Sequence, residues 1–451
     1  MSASNINLVF VVSEDLAYNA AGDVNPTTAN LTSQGLQRSL LMGSFLQTQV
    51  LGSQNVTAIY ALEPMTHLQT INDYPDMVGL TTMQQFAALN RVTMSGPGYT
   101  PYPDYSFPIN VSYGSYVPDG VAAPLLACES CQGLDFTDHN GANEALVSGL
   151  IHTNAAGFYV FSAPWETVSS LLTKINDQEG LDLSVPATYA GPNYVYAISI
   201  APSGSATLVI YNSNLNPAST YPALPSGGIV SAACVKPTFH VQVTGGSGGA
   251  VVPAGTNVNE TVYFVRHAEA HPVSYFEDGN FVAAGQWRAL DIPNALRGKI
   301  QPTQVYSIDP AQALTGAWDP AGVNTWSYVR TNLTVLPYAI ANNLPYKLAA
   351  SFEMMAQSPP QLATVASDFF FTGGTFSNES LLVGWEHDHI PTTVNALLTS
   401  YHSGQTVGDW ASSDYDTVWT VKLDANGNLS VDNATCEGIS SPDLPKQAPQ
   451  F

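Results

Sequence analysis

Two stretches of this chain, far apart in sequence, run through the same order of elements, and that repeat limits the fold more than any single motif does. Near the start, the apolar run NLVFVV over residues 7–12 reads as a buried strand that stops at Ser13-Glu14-Asp15. A polar loop follows. Then comes a helical pattern over residues 31–47, with Leu36, Leu40, Leu41 and Phe45 on one face, and a second strand over residues 56–62 that ends in Glu63-Pro64. After residue 261 the order returns: strand VYFV (262–265), a polar loop, a helical stretch over residues 281–296, and strand QVYSI (304–308) ending in Asp309-Pro310. Gly35-x-x-Arg38 stands opposite Gly285-x-x-Arg288, and IYALEP from Ile59 opposite VYSIDP from Val305. Residues 157–172 parallel 381–398, and residues 193–212 parallel 414–433. Matches in one order predict two tandem α/β units, each too long for a solenoid repeat.

A Gly-rich stretch, TGGSGGAVVPAGT from Thr244, separates the units. The expected division is a first domain over 1–244, a linker over 245–260 and a second domain over 261–451. The first unit carries extra chain, including a Pro- and Tyr-rich segment over 97–120 that reads as an irregular loop.

Composition bears on partners. With 451 residues and 45% hydrophobic content the chain can bury a large core, but 35 acidic residues face only 12 basic ones, for a formal charge of -23. Such a surface repels nucleic acid and anionic membrane, so neither is expected as a partner, and any anion site must be a local positive pocket. No run of 18 or more apolar residues is present.

The chemistry gathers in the second unit. The strand at 262–265 switches abruptly to Arg266-His267-Ala268-Glu269, at the end of a strand where open α/β sheets bind ligands. A second apolar run over 381–385 ends in Glu386-His387-Asp388-His389, and Arg330 precedes an apolar helical stretch. Two histidines and two arginines from separate elements can converge on one tetrahedral anion, the inventory of a phosphoryl-transfer site.

This arrangement resembles the histidine phosphatase superfamily, with its phosphoglycerate-mutase-like fold, over residues 262–423. RHAE at Arg266 corresponds to that family's RHG motif with Ala268 in place of Gly, and the Arg330 segment and WEHDHIP from Trp385 fall in the family's order. The resemblance implies two tandem phosphoglycerate-mutase-like domains and a phosphomonoesterase that works without metal or cofactor on a small phosphorylated substrate. His267 would be the nucleophile, Arg266 and Arg330 would clamp the phosphate, and His387 would be the second pocket histidine. The general acid is Asp388 or Glu353, with Glu269 and Glu386 as further candidates. His271 and His389 are expected to be satisfied or solvated. A phosphomutase, or a binding protein that has lost turnover, fits the same residues. Few basic residues are available to surround a polyanion, which ranks a phytase below a phosphatase for small monoesters.

Aligned on the repeat, the first unit puts Ser13 opposite Arg266, Glu14 opposite His267, and Pro164 near His387. A carboxylate there repels phosphate, so this unit is expected to be catalytically silent, shaping the substrate entrance, mediating homodimerisation, or serving as a packing partner. Four cysteines suggest a local bridge between Cys128 and Cys131 and a long-range one between Cys234 and Cys436. With few lysines and many sequons, they point to a secreted or periplasmic protein whose signal peptide lies outside this sequence.

Overall fold

The structure is a computed structural model, and it describes all residues except 19–21, 91, 95–101, 112–115, 117–131, 235–237, 271–277, 312, 315–325 and 350–359. Two sheets organise it. The first holds β1 (Ile6–Val12), β2 (Ala58–Ala61), β3 (Ile109–Asn110), β4 (Gly157–Ala163), β5 (Tyr194–Ile200) and β6 (Ala206–Asn212), in the order β6-β5-β1-β4-β2-β3. The second holds β7 (His240–Val243), β8 (Glu260–Arg266), β9 (Gln304–Ser307), β10 (Tyr346–Leu348), β11 (Ser380–Trp385), β12 (Thr417–Leu423) and β13 (Leu429–Cys436), in the order β7-β13-β12-β8-β11-β9-β10. Apart from the added edge strand β7, the two orders are the same. In each sheet the central strand (β1 or β8) has a parallel neighbour on one side and an antiparallel hairpin on the other.

Strand alternation explains how the helices are layered. In β1, Val9 and Val11 face one core, while Leu8, Phe10 and Val12 face another. The first of these cores lies between the sheets. It is filled from α1 (Ser33–Phe45) and α2 (Val78–Leu89) on one side, and from α5 (Ala283–Ala295) and α6 (Arg330–Asn342) on the other, with α1 against α6 and α2 against α5. On the outer faces, α3 (Ala142–His152) and α4 (Trp165–Gln178) cover the first sheet, and α7 (Pro360–Phe371) and α8 (His389–Ser400) cover the second. One continuous apolar cluster therefore includes residues of both sheets, so the two sheets share a core.

The joining segment is exposed over 244–249 and is anchored to the second sheet at a few points. Val251 N–H donates to Tyr401 O, Asn257 is fully buried, and β7 pairs with β13 although it precedes the Gly-rich stretch. The Pro- and Tyr-rich segment is not wholly irregular, because β3 lies within it and joins the first sheet parallel to β2. Cys234 and Cys436 form a disulfide; Cys128 and Cys131 lie outside the described residues.

Candidate active site

The site begins where β8 ends. Arg266 is its last residue and pairs with Trp385 of β11, and the next amide, His267 N–H, donates to Trp385 O at 2.8 Å. Parallel pairing thus holds the two strand ends side by side, with Glu386 and His387 following directly on β11. Gly384 lets α6 in closely: a Cβ there would lie 2.7 Å from the Val335 side chain and 3.0 Å from Thr331 O. This approach brings Arg330, the first residue of α6, to the strand ends.

His267 is buried, at 1% exposure. Its Nδ1 lies 2.8 Å from Ala268 O, and a carbonyl can only accept, so Nδ1 carries the proton and the lone pair of the neutral ring is on Nε2. Burial holds its pKa well below the ordinary histidine value, and Arg330 and Arg266 add to the depression. The ring is thus kept neutral and nucleophilic. Ala268 N–H donates to Thr334 Oγ1 at 2.8 Å, tying the turn to α6, and Ala268 is not among the positive-φ residues, so the backbone accommodates Ala here.

Both guanidiniums rest on tyrosine. Arg266 lies 3.9 Å over the Tyr415 ring, donates to Tyr415 Oη at 3.3 Å and to Ser412 O, and leaves a buried Nε without a partner. Arg330 lies 4.5 Å over Tyr328 and donates Nε–H to its hydroxyl at 3.0 Å. The same two rings flank His267 edge-on, with centroids at 6.2 Å for Tyr328 and 6.1 Å for Tyr415. Among the described residues this Nε–H meets no acceptor, and a buried donor of that kind is able to serve an anion.

Glu386 anchors the third side. One carboxylate oxygen accepts from the N–H groups of Asp388 (2.8 Å) and His389 (3.2 Å) and contacts His389 Nδ1 at 2.8 Å, while the other lies 2.5 Å from His387 Nδ1. Burial pushes its pKa up, but the bonds from His387 and His389 outweigh that and hold it well below the usual carboxylate range. This biases Glu386 toward its ionised form. Asp388 differs: its carboxyl is half exposed, lies 3.6 Å from His387 Nε2, and has a raised pKa from burial and the Glu386 charge. His389 is buried and satisfied, and it stacks on Trp385. Among the described residues, Glu386, His387 and Asp388 form the one group with three potential metal-ligand atoms within 4.8 Å of one another.

The remaining candidates fall elsewhere. Glu269 bonds Arg288 Nε at 2.8 Å in a buried network. Glu353 and His271 lie outside the described residues. The alignment of the first unit needs a one-residue correction. Ser13 N–H donates to Ala163 O at 2.9 Å, as His267 N–H does to Trp385 O, and Val12 pairs with Ala163 as Arg266 does with Trp385. Ser13, not Glu14, therefore stands in the place of His267, because backbone register and not the run of polar residues sets the correspondence. Tyr328, Tyr415 and the anchoring role of Glu386 were missed from sequence, and only the cluster of aromatics in DYDTVW hinted at one of them.

No family model matches the chain, and no curated protein matches it in sequence. Parts of it are similar to solved structures of histidine phosphatase superfamily members. A mycobacterial glucosyl-3-phosphoglycerate phosphatase is 12% identical over 38% of this chain and 97% of its own, with a TM-score of 0.25. A protein described as the phosphohistidine phosphatase SixA from Agrobacterium tumefaciens is 16% identical over 37% of this chain and 92% of its own, at 0.22. Its counterpart from Nakamurella is 15% identical over 44% and 94%, also at 0.22. TM-scores this low carry no weight for the site.

Proposed function

We propose that the chain is a phosphomonoesterase that works through a phosphohistidine on His267, with a small phosphate monoester as substrate. The carrying observation is the neutral Nε2 of His267 beside Arg266, whose buried Nε–H lacks a protein acceptor. Nε2 attacks phosphorus and forms the P–N bond as the P–O bond to the leaving group breaks. Arg266 and Arg330 bear the charge on the phosphoryl oxygens, and Asp388 gives its proton to the leaving oxygen. Water, deprotonated by the Asp388 carboxylate, then forms a P–O bond as the P–N bond breaks. His387, oriented by Glu386, donates to a phosphoryl oxygen.

The identical strand orders and the paired Gly-x-x-Arg helices support an origin by tandem duplication, with units at 1–244 and 261–451 joined by 245–260. A Cβ on Gly35 would strike Asp23 O, and one on Gly285 would come within 3.1 Å of Glu269 O; Arg38 then bonds Asp23 as Arg288 bonds Glu269. In this reading the first unit kept the fold and lost the phosphatase chemistry, since Ser13 replaces the nucleophile and Val12 the clamp. Secretion or export to a periplasm is our reading of location, supported by the Cys234–Cys436 disulfide.

The test is release of phosphate from an aryl phosphate with EDTA present, comparing wild type with His267→Ala. Metal-independent release that vanishes in the variant, with a phosphorylated His267 trapped by rapid alkaline denaturing quench, is the expected result. A folded wild type that is silent, or a variant that retains activity, overturns the reading.

A further inference from the structure

The two sheets end differently on their hairpin side. In the second, β13 is covered by β7, which pairs with it antiparallel from His240 opposite Asp432 to Val243 opposite Leu429. In the first, β6 holds the equivalent place and is the last strand of its sheet. Its free side follows from the ladder. Ala201 N–H donates to Ser205 O at 2.9 Å and Ser213 N–H to Asn193 O at 2.8 Å, so both are hydrogen-bonded pairs of the β5–β6 hairpin. Such pairs recur at every second residue, which turns the N–H and C=O of Thr207, Val209 and Tyr211 toward β5 and those of Ala206, Leu208 and Ile210 outward. Among the described residues these outward groups meet no hydrogen-bond partner.

This edge lacks the charge, proline or bulge that keeps an exposed strand single. β6 reads ATLVIYN, rich in β-branched and aromatic residues, and its register against β5 runs without a shift. Ile210 is 46% exposed, and Thr207 and Asn212 are exposed as well. The surrounding chain is equally neutral. Between Asp182 and Lys236 there is no charged residue, in a protein of formal charge -23. The turn at 201–205 and the stretch 213–218, which continue from the two ends of β6, belong to this uncharged run, and neither is buried.

We propose that β6 is a dimer edge, pairing antiparallel with β6 of a second copy of this chain so that the two first sheets continue as one. Antiparallel pairing about a two-fold axis is self-complementary. With the axis at Leu208, Leu208 lies opposite its own copy and Ala206 opposite Ile210, so the outward groups of all three residues are used in each chain. Charge selects the partner. A basic protein would be drawn to acidic surface elsewhere and has no counter-charge to meet at β6, whereas two copies of a strongly acidic chain repel except where each presents an uncharged surface. β7 shows that this position in the sheet order accepts an antiparallel strand. A strand pair alone buries less than a stable interface needs, so the uncharged chain at both ends of β6 joins the contact. The inference uses no residue of the His267 site and stands apart from the phosphatase reading.

Analytical ultracentrifugation of the full chain between about 1 and about 100 µM tests it. The expected result is a reversible dimer that tightens as salt rises from about 0.05 to about 0.5 M, because salt screens the acidic repulsion while the contact itself is uncharged. Ile210→Pro removes an outward N–H and leaves the ladder to β5 whole, and Ile210→Lys sets a charge on the edge. Each should weaken the dimer by about tenfold or more. Ile71→Lys, at a side chain 98% exposed outside β6, and His267→Ala should leave it unchanged. Should the Ile210 variants not fold, amide exchange in wild type decides: Ala206, Leu208 and Ile210 should be protected at about 100 µM and exchange freely at about 1 µM. A monomer throughout the range, a dimer that survives both Ile210 changes, an equal loss in Ile71→Lys, or protection of these amides that is independent of concentration would each overturn the proposal.

Discussion

Arg288→Met should destabilise the protein by about 3–5 kcal/mol near neutral pH, the cost of removing one partner from a buried ion pair. The side chain is fully buried. Its Nε lies 2.8 Å from Glu269 Oε1, its Nη1 bonds Glu437 and lies 3.8 Å from Asp416 Oδ1, and Nη2 donates to Ser441 Oγ at 2.8 Å. Methionine fills most of the volume, so what is lost is charge and hydrogen bonding more than packing. The size of the loss depends on pH. Burial already pushes Glu437 up to about 8 against the pull of Arg288, and without the guanidinium it goes higher still. A carboxyl with a raised folded pKa contributes stability that is present below its unfolded value and lost as pH rises through the folded one. Wild type and variant bind different numbers of protons only where wild-type Glu437 has ionised and the variant's has not, so the deficit of the variant widens above about pH 8. Urea denaturation at about pH 7 and about pH 9, followed by tryptophan fluorescence, measures it. A loss under about 1 kcal/mol at the higher pH, or the same loss at both, would refute the reasoning. Arg38→Met, which strands Asp23 alone, should cost less.

Asp388→Asn should lower kcat by about 10²–10⁴ while leaving phosphohistidine formation from an activated aryl phosphate detectable. In wild type, kcat/KM should fall as pH rises through the raised pKa of Asp388, and it should persist on the acid side below the ordinary histidine value, because His267 is held neutral there. Stopped-flow phosphate release across pH reads both limbs, and a loss of activity at the usual histidine pKa would contradict the buried neutral nucleophile. Replacing Cys234 and Cys436 by serine should cost about 2–5 kcal/mol, since the bridge ties the segment after the first sheet to the end of β13. Thermal denaturation of the double variant checks this, and an unchanged transition would count against it.

Much of the site was legible in the sequence because a buried strand announces its own end. VYFV and LLVGW are apolar until the residue where the sheet opens, so Arg266-His267 and Glu386-His387 were marked by the break itself. Arg330 was legible for a similar reason, as the cation at the start of an apolar helix. Tyr328 and Tyr415 were not, since each comes from a connecting segment whose position is set by packing and not by period. Glu386 was weighed as an acid because proximity in sequence does not reveal that His387 and His389 turn their Nδ1 atoms back onto it. In the first unit the polar run SED invited alignment with RHA, and only the ladder from Val12 to Ala163 corrected the slip. The edge strands β3 and β7 are short and lie in Pro-, Gly- or polar-rich chain, where hydrogen bonding to a neighbour outweighs local propensity.

Charge compensation separates the arginines of this chain. Arg38 and Arg288 are buried against carboxylates and hold helices to strand ends. Arg266 is equally buried, yet it is met by carbonyls and a phenol, and among the described residues no carboxylate is in ion-pair contact with it, the Glu386 charge acting from farther off. Burying a guanidinium without a counter-charge is costly, and in a protein of formal charge -23 an acidic partner is the easiest thing to supply. Its lack of one at the strand end next to a neutral histidine is explained if the counter-charge arrives with the substrate.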